Sequence, residues 1–180
     1  VDPDVRQNPW RFDRERVQEG VARMRRELPR NRVARQLERC ALEYGCRAAP
    51  NFFLGRHEGP LPVSTACNAQ CVGCISLQPD GAFRASHDRL AIPPTPREVA
   101  DTALAHLANV PGGVVSFGQG CEGEPTLFGK VLVEATRRIR AASPRGTINL
   151  NSNASQPEVV RALCDAGLDA IRVSLNSPRP

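Results

Sequence analysis

Three cysteines are crowded into one short segment of the chain. Cys67-Asn68-Ala69-Gln70-Cys71-Val72-Gly73-Cys74 separates the first two thiols by three residues and the last two by two. Such a loop can wrap a single cofactor, because its small residues let the backbone curl closely around the bound group. Iron–sulfur clusters are usually held by four thiolates. Three close ligands without an adjacent fourth therefore indicate a cluster with one iron open for a substrate, as catalytic metal sites keep a vacant position.

A zinc site is the alternative for the same cysteines. Cys71 and Cys74 form a Cys-x-x-Cys pair, and Cys67 and His87 are further ligand candidates. No second pair of that kind follows, since Cys121 and Cys164 stand alone in the sequence. Burial as apolar side chains does not suit three cysteines in a loop that carries Gly and Asn. Seven cysteines in 180 residues, three of them clustered, favour reduced thiols over a disulfide framework.

A glycine-rich segment is the second candidate for chemistry. Gly118-Gln119-Gly120-Cys121-Glu122-Gly123-Glu124-Pro125-Thr126-Leu127 stands before a predicted helix, where exposed backbone groups can meet phosphate or the ends of an amino acid. The spacing is neither that of a phosphate-binding P-loop nor that of a dinucleotide fingerprint.

The elements that position these segments alternate in type. Apolar patterning predicts strands at Leu61–Thr65, Gly113–Phe117, Thr147–Asn151 and Ala170–Leu175. Helices are predicted between them. One begins at the capping box of Thr95 and Glu98, one covers residues 128–142, and one begins at a capping box of Ser155 and Glu158 and ends before Gly167. His106 is expected on the surface of its helix.

This alternation predicts an α/β fold with parallel strands. Ligand sites in such folds lie at the carboxyl ends of the strands. The cysteine loop follows the first predicted strand, the glycine-rich loop the second, Asn151–Ser155 the third, and Asn176-Ser177 the fourth. The unusual segments are therefore expected on one rim of the sheet.

The Cys-x3-Cys-x2-Cys pattern after a first strand resembles that of the radical S-adenosylmethionine (SAM) enzymes. The resemblance covers about residues 60–177 and implies the first four βα units of that family's partial barrel. It further implies that Cys67, Cys71 and Cys74 ligate a [4Fe–4S] cluster whose open iron chelates SAM. Reductive cleavage of SAM would then yield a 5′-deoxyadenosyl radical that abstracts hydrogen from a substrate.

Further residues resemble the family's SAM-binding segments. Glu122-Gly123-Glu124-Pro125 is similar to its Gly-Gly-Glu-Pro motif, with Glu122 in place of the first glycine, so Glu124 is the expected partner of the SAM amino group. The resemblance also implies contacts with the SAM carboxylate and ribose from the ends of strands three and four, at Ser152, Asn153, Ser174 and Asn176. Gly73 departs from the aromatic residue that the family often has before the third cysteine.

The first 50 residues are basic, with Arg in excess of Asp and Glu, and two helices are predicted over residues 13–28 and 31–45. We expect a basic helical N-terminal segment over residues 1–55 and a core domain over 56–180.

No apolar run is long enough to span a membrane, and a cytoplasmic location is expected. The substrate stays open between RNA, a peptide and a small metabolite. An electron donor such as flavodoxin or ferredoxin is implied by the resemblance. The alternative function is a zinc-stabilised α/β binding module, with RNA as its candidate ligand.

Overall fold

A computed structural model describes residues 12–71, 73–76, 85–119 and 122–175. Its four strands form one parallel sheet in the order β1-β2-β3-β4, with β1 at Glu58–Pro60, β2 at Val114–Phe117, β3 at Thr147–Ser152 and β4 at Ala170–Val173. The helices are α1 (Arg14–Glu27), α2 (Arg32–Leu42), α3 (Pro50–Leu54), α4 (Pro96–Asn109), α5 (Gly129–Ala142) and α6 (Pro157–Ala166). A short 3-10 helix, Pro125–Phe128, precedes α5. The α/β fold with parallel strands is confirmed.

The predicted first strand is in the wrong place. Residues Leu61–Thr65 form no strand, and β1 lies just before them. Pro62 has no N–H to donate to a sheet ladder. The next two N–H groups, of Val63 and Ser64, donate instead to the carboxylate of Glu122. The segment thus stays buried and leads from β1 toward the cysteines without pairing as a strand.

The two predicted capping boxes have different outcomes. The Thr95 side chain accepts the Glu98 N–H, and the Glu98 carboxylate accepts the Thr95 N–H, as the sequence predicts for α4. The box at Ser155 is wrong, because α6 begins after Gln156 without a side-chain cap. The Ser155 hydroxyl instead accepts a hydrogen bond from Asn68 at 2.8 Å, which draws it toward the cysteine loop.

The N-terminal helices pack against α4 through a buried polar contact. Asn31 caps α2 and also donates to the Glu98 carbonyl at 2.7 Å. Arg32 contacts both carboxylate oxygens of Glu98 and holds the pKa of that group down at about 2. Apolar residues of α1 and α2 belong to the same core cluster as those of α4 and α5. The proposed division at residue 55 stays a prediction. No helix in the described ranges is long and apolar enough to cross a membrane.

His106 is buried, which corrects the expectation of a surface position. Only 2% of it is exposed, and its ring lies against the backbone of β1, where a Cβ on Gly59 would be 2.8 Å from the ring. Phe52 stacks on it with ring centroids 6.2 Å apart. The helix α4 is present as predicted, but the sequence alone does not show which way a histidine on it faces. Burial lowers the pKa of His106.

The burial of His106 predicts a pH-dependent stability. Below pH of about 6.5 the unfolded chain binds a proton at this ring that the folded chain binds less well, so stability falls as the pH drops. His106→Leu should therefore show a smaller loss in the free energy of unfolding between pH 7 and pH 5 than the wild type does, measured by urea titration at each pH. Leu107→Ala on the same helix is the control and should lower stability without changing that slope. Equal slopes for His106→Leu and the wild type would contradict the assignment.

Candidate functional site

The glycine-rich loop after β2 is pressed against both of its neighbouring segments. Gly118 has a φ of +72° and lies so close to β3 that a Cβ there would be 1.9 Å from the Asn151 carbonyl oxygen. A Cβ on Gly123 would lie 1.7 Å from the carbonyl oxygen of Ala66, the residue before Cys67. Only glycine fits at either position. The loop therefore lies directly beside the start of the cysteine segment.

The buried side chain of Glu122 connects the glycine-rich loop to the segment that follows β1. Its carboxylate accepts the N–H groups of Val63 and Ser64, both at 2.7 Å, and that of Gly118 at 2.6 Å. The side chain is buried, and this burial raises its pKa to about 7, although the three backbone donors act in the opposite direction. Hydrogen bonds to a carboxylate contribute about 1.5–3 kcal/mol each. The Glu122 carboxylate thus binds three backbone N–H groups, two after β1 and one after β2.

Glu122 also contacts the far side of the cysteine segment. Its carbonyl oxygen accepts the hydroxyl of Ser76 at 3.3 Å, two residues after Cys74. Arg89 in turn donates to the Ser76 hydroxyl at 3.0 Å. One residue of the glycine-rich loop therefore fixes the chain both before Cys67 and after Cys74.

Glu124 connects the same loop to the end of β3. Its Oε1 accepts the Thr126 hydroxyl and the Ser152 hydroxyl, both at 2.6 Å, and the Thr126 N–H at 3.0 Å. Its Oε2 accepts the Asn153 N–H at 2.9 Å. A carboxylate offers about four acceptor positions. Among the described residues, Oε2 accepts the Asn153 N–H alone, so it can accept one more hydrogen bond. The Glu124 N–H donates to the Ala66 carbonyl at 2.8 Å, which ties this residue to the cysteine segment as well.

The cysteine loop is docked on the β3 edge by its own asparagine. Asn68 donates to the Ser155 hydroxyl at 2.8 Å and accepts from the Asn153 side chain at 2.9 Å. The Cys67 sulfur accepts the N–H of Ala69 at 3.4 Å. Cys67 and Cys74 are partly buried, and Cys71 is exposed. Sequence reasoning missed Asn68, although its place between two ligand candidates was the available signal.

The structure brings most predicted site residues to one edge of the sheet. Glu124, Ser152 and Asn153 contact one another, and the Ser174 N–H donates to the Ser152 carbonyl at 2.9 Å. Glu122 lies on the β1 side of the loop, and Pro125 is the buried first residue of the 3-10 helix. Asn176 and Cys121 lie outside the described residues. His87 is buried beside Tyr44, with ring centroids 5.5 Å apart.

The cysteine loop has the donor atoms that a metal centre needs, and it is attached to the rest of the fold on both sides. Its donors are thiols, which suit iron–sulfur clusters and zinc, and both flanks are fixed to the sheet edge. Within the described ranges, no three Cys, His, Asp or Glu side chains are already gathered around one point. Binding of a metal centre would therefore draw the sulfurs together. Gly73 has a φ of +77°, and a Cβ placed there would meet no described residue beyond its chain neighbours within 4 Å.

Comparison with known families identifies the superfamily of this chain. The model of the radical SAM superfamily matches residues 61–180. The chain belongs to the radical SAM superfamily. No curated protein and no solved structure shows significant similarity to it. The match to the radical SAM superfamily begins at the segment between β1 and Cys67 and includes the cysteine motif, the glycine-rich loop and the ends of β3 and β4.

The close approach of Gly123 to Ala66 predicts the effect of one added methyl group. Gly123→Ala should displace the cysteine segment and lower the free energy of unfolding by about 1–3 kcal/mol, as overpacking of a tight contact does. The same change should speed the alkylation of Cys67 by a thiol reagent, followed by peptide mass spectrometry.

Gly129→Ala is the matched control. The three atoms nearest to its Cβ would all belong to the Val159 side chain, at 2.8 Å and beyond, whereas a Cβ on Gly123 would meet backbone; alanine also favours a helix. We expect a smaller loss of stability than for Gly123→Ala and no change in Cys67 alkylation. Equal behaviour of the two variants would show that Gly123 has no special role in placing the loop.

Proposed function

We propose that this protein is a radical SAM enzyme that binds a [4Fe–4S] cluster through Cys67, Cys71 and Cys74 and cleaves SAM reductively. The observation that carries the proposal is the juxtaposition at one sheet edge of a thiol loop and a buried carboxylate, Glu124. The N–H of that residue contacts the backbone just before Cys67. Superfamily membership supports the same chemistry in general terms. When bound, these groups would supply a 5′-deoxyadenosyl radical that abstracts hydrogen from the substrate.

Glu124 is the residue that we assign to the SAM amino group. Its Oε2 has one donor in the described structure, and the position is only 4% exposed. A hydrogen bond from an amino N–H group to a carboxylate is stronger in a site shielded from water than in an exposed one. Ser152 and Thr126 hold Oε1, while Oε2 accepts the N–H of Asn153 at the end of β3. Gly123 and Pro125 fix the backbone on either side of Glu124.

The ends of β3 and β4 are the proposed contacts for the rest of SAM. Ser152, Asn153 and Ser174 lie next to one another there and provide hydroxyl, amide and backbone groups. Asn176 is proposed on sequence alone. Glu122 has a different assignment. Because its carboxylate is occupied by three backbone N–H groups, we propose that it positions the cysteine loop and does not contact SAM.

The four strands are proposed as the first units of the partial barrel typical of the family. In that arrangement the cysteine loop, the glycine-rich loop and the β3 and β4 ends would surround SAM at the carboxyl edge, where α/β folds bind their ligands. A dedicated electron donor such as flavodoxin or ferredoxin would deliver the reducing equivalent.

Iron analysis of the full-length protein tests this proposal. After anaerobic reconstitution with iron and sulfide, the wild type should contain about four irons and four acid-labile sulfides per chain, as a [4Fe–4S] cluster requires. With dithionite and SAM it should release 5′-deoxyadenosine, measured by liquid chromatography and mass spectrometry. Cys71→Ala should lose both the cluster and this product.

Cys164→Ala is the control, because this exposed thiol lies on α6, away from the cysteine loop in sequence. It should retain the iron and the product. One zinc per chain with no labile sulfide would contradict the proposal and favour the zinc-stabilised binding module instead.

A further inference from the structure

The two faces of the sheet have opposite compositions. Val115, Phe117, Ile148 and Leu150 are fully buried on one face and form the core with the helices. Side chains alternate along a strand, and the strand register pairs Ser116 with Asn149 and Asn151 with Arg172. The opposite face carries polar residues on all four strands, here called the polar row: Glu58, Ser116, Asn149, Asn151 and Arg172. Val114, in register with Glu58, and Ala170, in register with Asn149, lie on this face as well.

The polar row is unlike the inner face of a packed barrel. Inward positions of closed parallel barrels are filled mainly by branched apolar residues that exclude water. Here the Ser116 hydroxyl donates to Glu58 at 2.6 Å, and the Asn149 side chain donates to Ser116 at 3.1 Å. Asn151 donates to the Phe117 carbonyl at 2.8 Å. Ser116 is fully buried, so these bonds form an internal network, while Glu58, Asn149 and Asn151 are partly exposed. Their polar groups suit a hydrated ligand better than a hydrophobic one.

A small cavity lies at the Glu58 end of the polar row. Its volume is about 190 Å³, and its lining includes Arg47, Asn51, Glu58 and Gln119. Gln119 donates to Glu58 and reaches the cavity from the glycine-rich loop. A water molecule occupies about 30 Å³ of liquid, so the cavity holds the equivalent of a few waters. It is smaller than the pockets of drug-sized ligands, which begin at about 300 Å³.

The cavity is lined by one residue of each charge. Arg47 and Glu58 both line it, and no ion pair joins these two described residues. Within the part of the chain that the structure describes, Arg47 makes no hydrogen bond or salt bridge. A guanidinium pairs well with a carboxylate, and a carboxylate pairs well with an ammonium group. The two side chains together therefore match a small molecule that carries both charges.

We infer that this cavity binds a free α-amino acid, with its carboxylate toward Arg47 and its ammonium group toward Glu58. The inference rests on the proposed function, because it names the substrate class of the same enzyme. The polar row leads from the cavity to Asn151, and the strand of Asn151 ends at Ser152, which contacts Glu124. A side chain extending from the bound amino acid toward the rim would meet the partly exposed Asn149 and Asn151 of β3.

The first experiment measures binding without iron or SAM. The twenty common L-amino acids are tested on the full-length protein by saturation-transfer NMR, and each hit is titrated by calorimetry. At least one should bind, and its N-acetyl and carboxamide derivatives, which each lack one charge, should not. Glu58→Gln and Arg47→Gln should each weaken binding at least tenfold, because each removes one charge-assisted contact.

Two controls make the assignment specific. Arg97→Gln removes an exposed arginine of α4 and should leave the affinity unchanged. Methionine is the one amino acid that could bind at the proposed SAM site, so its binding is also tested in Glu124→Gln. Binding that is lost in Glu124→Gln but retained in Glu58→Gln and Arg47→Gln overturns the inference.

Two further outcomes of the binding experiment also test the inference. Failure of every amino acid to bind, or binding that neither Glu58→Gln nor Arg47→Gln weakens, overturns the inference and leaves the polar row as a structural network. Arg47 is exposed, so its variant is expected to fold and keeps the test valid should Glu58→Gln unfold. Iron and 5′-deoxyadenosine measurements are separate from this binding test, so failure of the proposed function would be recognised independently.

Discussion

The carboxylate of Glu122 is the contact on which the arrangement of the site depends. It accepts N–H groups from the segment after β1 and from the turn after β2, while the carbonyl of the same residue accepts Ser76 beyond the third cysteine. These segments have no ladder pairing of their own at this edge. Without a buried acceptor their N–H groups would be unsatisfied, at about 1–3 kcal/mol each. The cysteine loop can therefore be exposed and still be held at both ends, which leaves its middle able to close on a metal centre.

Much of the fold follows from local signals in the sequence. The α4 capping box, Pro157 at the first position of α6 and Gly167 after its last residue are each determined by neighbouring residues, so they could be predicted. The apolar runs of β2 and β3 are buried on one face, and their parallel order follows from the helices between them. The cysteine spacing and the Glu-Pro of the glycine-rich loop sufficed to indicate the family.

The remaining features depend on contacts between distant parts of the chain. Leu61–Thr65 has a strand-like composition, but it does not pair as a strand. Pro62 lacks an N–H, and the N–H groups of Val63 and Ser64 donate to Glu122, which is 59 and 58 residues away in the sequence. The Ser155 hydroxyl accepts a hydrogen bond from Asn68 and does not cap α6. His106 is buried because Gly59 lets its ring approach β1. The resemblance placed Glu122 among cofactor contacts, whereas its hydrogen bonds support a positioning role. None of these contacts leaves a periodic trace in the sequence.

The central claim is that the three cysteines leave one iron open for the amino group of SAM, beside Glu124. Electron–nuclear double resonance tests it most directly, on the reconstituted, reduced full-length protein with SAM labelled with ¹⁵N at its amino group. We expect a [4Fe–4S]⁺ signal that shifts when SAM is added and shows a ¹⁵N coupling strong enough to require a direct bond to iron. A cluster signal that SAM does not change, with no ¹⁵N coupling, would contradict the claim.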